Sequence, residues 1–217
     1  MIINTEWGAY GDGGELEFIR TRFDVLVDEG TVNPGKQLYE KMISGMYMGE
    51  LVRVMLVYLA EHGLLFENVS YGPLKASHSF PTKYVSEIEG DIEPDGTRTY
   101  DKTHQILEDI GIEDTADHDL QTVAYVCSLV SRRAAELCGA GIATLLNRMQ
   151  KPSVTASDTV KRNRISPESA LVQIRSMTKY SSFSSPPALT PTPLPPPAMW
   201  YDIHFGQYLD DWHYQEI

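Results

Sequence analysis

At 217 residues with 42% hydrophobic side chains, the chain is long enough to bury a real core as one large domain or two small ones, so it is not disordered as a whole. Its 30 acidic and 18 basic residues give a formal charge of −12, which argues against a nucleic-acid partner, since that affinity comes from Lys and Arg displacing condensed counterions. No stretch approaches the roughly 20 apolar residues of a bilayer span, and the opening Met1-Ile2-Ile3-Asn4-Thr5-Glu6 lacks the basic start of a signal peptide; the expectation is a cytoplasmic protein that binds neither nucleic acid nor membrane.

Ile2-Ile3-Asn4 predicts the end of a short buried strand, after which Gly8, Gly11, Gly13 and Gly14 force a loop that carries Glu6. The glycine spacing fits neither a Walker loop nor a dinucleotide fingerprint, so turn geometry is its reading. Asn33-Pro34-Gly35 predicts a second turn, with Gln37 and Glu40 at its edge. From Met48, the residues Leu51, Val52, Met55, Leu56 and Leu59 recur at helical spacing, and Gly63 sits where a C-cap is expected. That segment is a core-facing helix whose methionines pack.

Thr82 to Glu89 predicts a short helix, and Asp101 to Ile110 a second one closed by Gly111, with Glu93-Pro94-Asp95-Gly96 as a turn between them. The longest helical pattern runs from Ala116 to Met149, about 50 Å, and Gly139-Ala140-Gly141 within it marks either a break or a close helix contact. Cys127 and Cys138 fall on one face of this pattern about 16 Å apart, too far for a disulfide between them, so free thiols in a reducing compartment are expected. The six histidines show no spacing suited to a metal, and no structural metal is expected.

After Pro152 the character changes. A basic run, Lys161-Arg162-Asn163-Arg164, precedes a Ser-rich stretch and the proline series from Pro186 to Pro197, a composition that favours extended polyproline II over a packed core. Residues 156–199 are therefore expected to be a disordered linker. In 200–217, Phe205, Tyr208, Leu209 and Trp212 stand at helical spacing beside Asp210 and Asp211; a short amphipathic helix docking on the body or in a protein partner's groove, and an accidental pattern, are both open readings.

The chemistry centres on Glu6 and Glu40. A carboxylate accepts hydrogen bonds, so two of them aimed into one cleft suit the hydroxyl donors of a polyol, whereas a single Glu beside a turn is ordinarily a solvated surface group. The runs around them, Ile2-Ile3-Asn4-Thr5-Glu6-Trp7-Gly8-Ala9-Tyr10-Gly11-Asp12 and Asn33 to Arg53, together with Phe80 to Glu89 and Ser131 to Met149, resemble the hexokinase family of ATP-dependent sugar kinases. The resemblance extends from Met1 to about Thr155.

The resemblance implies an α/β fold: a partial large lobe of an actin-like, hexokinase-type ATPase, helix-rich, occupying 1–155 and followed by the disordered Pro-rich tail. It implies that Glu6, Gln37 and Glu40 bind the hydroxyls of a hexose such as glucose. It places Gly45, Met46, Thr82 and Ser86 near the nucleotide, with ATP and its Mg²⁺ as cofactors. Met46 departs from members with Lys there, so a charge contact to the phosphates is missing. The Gly-Gly-Thr-Asn phosphate loop, the aspartate general base and the Ser-Gly-Lys-Gly adenine loop of the family do not occur in the sequence. The activity implied is ATP:hexose 6-phosphotransfer, with turnover by this chain alone not expected because positioning and electrostatics supply nearly all the catalysis in this reaction class. An inactive sugar-binding or interaction protein, and a truncated gene model, stay open as alternatives.

Overall fold

The computed structural model describes residues 4–93 and 95–149. The strand expected at Ile2-Ile3, the linker 156–199 and the tail 200–217 lie outside the described residues.

Among the described residues, six α-helices follow one another: α1 Arg22–Glu29, α2 Leu38–Ile43, α3 Gly45–Glu61, α4 Thr82–Glu89, α5 Asp101–Ile110 and α6 Asp117–Met149. Short 3-10 turns occupy Trp7–Ala9 and Gly72–Lys75. The described residues are helix-rich, as expected for this part of the lobe, and their β pairing is limited to one isolated bridge between Ile92 and Arg98. That bridge closes the turn expected at 93–96, where the Gly96 N–H donates to the Glu93 carbonyl at 2.8 Å. Among the described residues no helix is long and apolar enough to cross a membrane.

Helix α3 is the hub, packing against α1, α2, α4 and α6. The residues singled out by its periodicity, Leu51, Val52, Met55, Leu56 and Leu59, are all buried. Each such side chain stabilises the fold by roughly 1.5–3 kcal/mol on leaving water, so this one stripe organises the core. Phe23 from α1, Phe80, Ile88 from α4, Leu107 from α5 and Val123 from α6 close around it. Gly49 lets α3 and the entry to α4 meet backbone to backbone. A Cβ there would lie 2.3 Å from the Phe80 carbonyl oxygen and 2.4 Å from the Thr82 nitrogen.

Helices α4 and α5 have the expected bounds, and Gly111, at φ 94°, terminates α5 in the left-handed conformation that favours glycine. Helix α6 runs unbroken through Gly139-Ala140-Gly141, so the close-contact reading holds: a Cβ on Gly141 would sit 2.6 Å from the Trp7 ring and 2.8 Å from the Tyr39 hydroxyl. Cys127 is buried and Cys138 half-buried, both as free thiols. Burial, the largest influence, pushes the Cys127 thiol well above its ordinary range.

Helix α1, like α2, had no counterpart in the sequence reading. Its start is a capping box: the Thr21 hydroxyl accepts the Asp24 N–H while the Asp24 carboxylate accepts the Thr21 N–H at 2.8 Å. The spacing Thr21-x-x-Asp24 was the available signal. Asp24 also receives a bidentate bond from Arg133 of α6, at 2.7 and 2.9 Å, joining two helices 109 positions apart in sequence.

Candidate functional site

Two short segments build the site, and both are held in backbone conformations that a side chain ordinarily avoids. Glu6 has φ 47° and Gln37 φ 57°, each in the left-handed region at a non-glycine residue. Such conformations cost of order 1–3 kcal/mol and persist where surrounding structure over-determines them.

The first segment is the loop 4–12. Asn4 brackets Glu6: its amide donates to the Glu6 carboxylate, and its carbonyl oxygen accepts the Glu6 N–H at 3.2 Å. Gly8 belongs here for space rather than flexibility. A Cβ on it would stand 2.6 Å from Gln37 Oε1 and 3.2 Å from Glu40 Oε2, so any side chain at this position would fill the gap between the two segments.

The second segment is the turn 33–37 and the first turn of α2. Asp28, buried on α1, receives the Gly35 N–H at 3.0 Å, Lys41 Nζ at 2.7 Å and Arg20 at 2.9 Å. Burial pushes its carboxyl up, but the bonds from Lys41 and Gly35 and the charges of Lys41 and Arg20 outweigh that and hold it below the ordinary value. Lys41 in turn donates to the Asn33 carbonyl at 2.8 Å, which fixes the turn from its other end.

Glu6, Gln37 and Glu40 converge on one open cleft of about 420 Å³, with Asn4, Trp7 and Ser44 among its other walls. Glu6 and Glu40 are exposed and Gln37 is half-buried, so all three reach solvent from the cleft wall. Trp7 is the aromatic residue of the cleft wall, and Tyr39 backs it from the core, meeting it edge-on at 5.6 Å, while Tyr10 meets Tyr39 at 6.0 Å. Tyr39 is anchored by donating its hydroxyl to the Leu137 carbonyl of α6 at 2.5 Å, and burial, followed by Cys138 and Tyr10, pushes its pKa up to about 12. Acceptors beside the Trp7 ring suit the hydroxyl-rich edge and apolar face of a polyol.

The second group of expected site residues continues from the same wall. Ser44 lines the cleft and caps α3 by accepting the Met46 N–H at 3.2 Å; Gly45 and Met46 follow it directly, and Met46 is 75% exposed. Thr82 joins them, donating its hydroxyl to the Gly45 carbonyl at 2.5 Å and accepting the Gly49 N–H at 2.8 Å. Its proton is thus taken up within the fold, which makes Thr82 a fastener between α3 and α4. Ser86, one helical turn further along α4, is exposed. No group of three or more His, Cys, Asp or Glu side chains placed to hold a metal ion occurs among the described residues.

Sequence reasoning did not single out Asp12, Asp28 and Lys41, the residues that hold the cleft's turns. Their signal is long-range pairing, which no local pattern carries.

A family model described as hexokinase matches residues 1–175. Among curated relatives, the chain is 48% identical over 151 residues to hexokinase-3 of Mus musculus and 46% identical over 151 residues to hexokinase-2 of Homo sapiens. Each alignment covers 70% of this chain and 16% of the relative, so the chain spans about a sixth of the length of the curated relatives it matches. A solved hexokinase from Schistosoma mansoni, complexed with glucose, superposes with a TM-score of 0.62 at 44% identity, over 68% of this chain and 33% of that one. A second hexokinase crystal structure gives 0.58 at 25% identity, over 68% and 30%. A match over residues 1–175 and relatives of this identity establish that the chain belongs to the hexokinase family.

Proposed function

We propose that the cleft binds a hexose such as glucose, with Glu6 and Glu40 accepting from its hydroxyls, Gln37 both donating and accepting, and the Trp7 indole beside the ring. The observation that carries this reading is the convergence of Glu6 with the distant pair Gln37 and Glu40 on one cleft of about 420 Å³. Neutral polyols are the class such a wall selects, because its two carboxylates repel anions. The glucose bound in the Schistosoma mansoni relative supports the same choice of ligand.

The reaction we assign to the site is ATP-dependent phosphorylation of the hexose at its 6-hydroxyl, to which these residues contribute the sugar grip and one edge of the nucleotide site. Gly45, Met46, Thr82 and Ser86 would border the nucleotide, with Ser86 the free hydroxyl among them. Mg²⁺ would arrive with the phosphates of ATP and supply charge neutralisation there. The 217-residue sequence carries no Gly-Gly-Thr-Asn and no Ser-Gly-Lys-Gly loop, so we assign it hexose binding without appreciable turnover. We also propose 1–155 as the lobe-forming region, 156–199 as linker and 200–217 as a tail able to recruit a protein partner.

Two measurements on the 217-residue chain test this. Glucose should change the fluorescence of Trp7, next to Glu6, and Glu6→Ala should abolish the change; no response up to high millimolar sugar overturns the binding assignment. ADP release with glucose and Mg-ATP should stay at background, and a glucose-dependent rate near that of an intact kinase overturns the statement about turnover.

A further inference from the structure

Glu6 lies on the loop 4–12 and Glu40 on α2, and the contact that ties the two segments by hydrogen bonds is made by Asp12. Its two carboxylate oxygens accept the backbone N–H groups of Gln37, at 3.1 Å, and Leu38, at 3.0 Å. Those donors are the N-cap and first-residue N–H groups of α2, which a helix leaves without an intrahelical partner. Gln37, the N-cap of α2, makes no side-chain cap bond, and its backbone is left-handed, at φ 57° and ψ 42°. Successive N–H groups around a left-handed residue form a concavity that favours an anion. The Asp12 carboxylate occupies it.

We infer that Asp12 is a positioning residue for the sugar site. Two consequences follow from its geometry. By holding the Gln37 backbone N–H it fixes the left-handed residue whose side-chain amide lies against Gly8 in the cleft. By bonding across from the Glu6 loop to the Gln37–Glu40 turn, it fixes the spacing between the two carboxylates that grip the ligand. Gly11, at φ 90°, turns the loop so that Asp12 faces α2. Asp28 secures the far side of the same turn through Gly35, so the Gly35, Gln37 and Leu38 N–H groups are taken by two aspartates from two different segments, while the Lys36 N–H stays within the turn on the Asn33 carbonyl.

This inference rests on the hexose reading of the cleft, and its test separates the two. In the 217-residue chain, amide hydrogen exchange at Gln37 and Leu38 is compared among the wild type, Asp12→Asn and Asp12→Ala, alongside glucose titrations. Asp12→Asn keeps the side-chain shape with one accepting oxygen, so one of the two amides should lose protection. Asp12→Ala should expose both, with exchange accelerated at least about tenfold, while the amides of α3 stay as protected as in the wild type. Glucose affinity should fall in the same order, by roughly tenfold for Asp12→Ala. A merely structural role would instead raise exchange throughout α3. Unchanged protection at both amides overturns the brace, and raised exchange with unchanged glucose affinity overturns its role in the site. A wild type that does not respond to glucose overturns the hexose reading, and the exchange data still decide the brace.

Discussion

Arg133→Met removes two bonds that join α6 to α1, the 2.7 and 2.9 Å contacts to Asp24, and leaves a carboxylate whose side chain is only 5% exposed. In a buried pair the cost of desolvating both charges nearly offsets their attraction, so losing one partner is worse than losing both. An orphaned buried charge typically costs about 3–5 kcal/mol. Asp24 would still accept from the Thr21 N–H at 2.8 Å and the Thr21 hydroxyl at 2.7 Å, so the lower end applies. We expect a loss of about 3 kcal/mol, which lowers the melting temperature of a body this size by roughly 6–12 °C. Adding Asp24→Asn neutralises the orphan, and the double variant should recover about 2 kcal/mol relative to additivity. Urea and thermal unfolding followed by far-UV circular dichroism measure all four corners of the cycle. A single-variant loss below about 1 kcal/mol, the range of exposed ion pairs, or strict additivity, would refute the reasoning.

Acid should weaken the turn that carries Gln37. The folded-state pKa of Asp28 lies below its ordinary value of 3.8, so its contribution is fully present above that value and is lost as pH falls through the folded one; Asp28→Asn should flatten the decline of the urea midpoint on the acid side of pH 3.8. Gly49→Ala should destabilise by about 3 kcal/mol, since the atoms its Cβ meets at 2.3 and 2.4 Å are backbone and cannot rotate away; a loss under about 0.5 kcal/mol in chemical denaturation would contradict that contact. Cys127, fully buried, should resist thiol reagents at mildly alkaline pH until the chain unfolds, with Cys138 reacting first; peptide mapping after labelling checks the order, and early modification of Cys127 counts against its place in the core.

The apolar period of α3, the bounds of α4 and α5 and the span of α6 are written locally, in side-chain spacing and in glycine at Gly63 and Gly111. Those features depend on which face of one helix is apolar, so the sequence carries them unaided. Helix α1 carried a local signal too, in the pair Thr21 and Asp24, but its buried apolar face is only Phe23 and Val27, too short for a period to show. The resemblance of the runs around Glu6 and Glu40 pointed to their family from sequence alone.

Tertiary structure decided what those residues can do together. Only folding brings Glu6, Gln37 and Glu40 to one cleft, because the segments that carry them are joined by hydrogen bonds from Asp12 and by the packing of Trp7, Tyr39 and Gly141. Folding likewise turned Gly8 from a loop residue into an empty place for the site, and the Thr82 hydroxyl into a link between Gly45 and Gly49. Local propensity acts over a few residues, whereas a binding wall is made of groups brought together from far apart. Local sequence thus determined helices α3 to α6 and the kinship, and the long-range bonds to Asp12 and Asp28 hold together the turns that make the site.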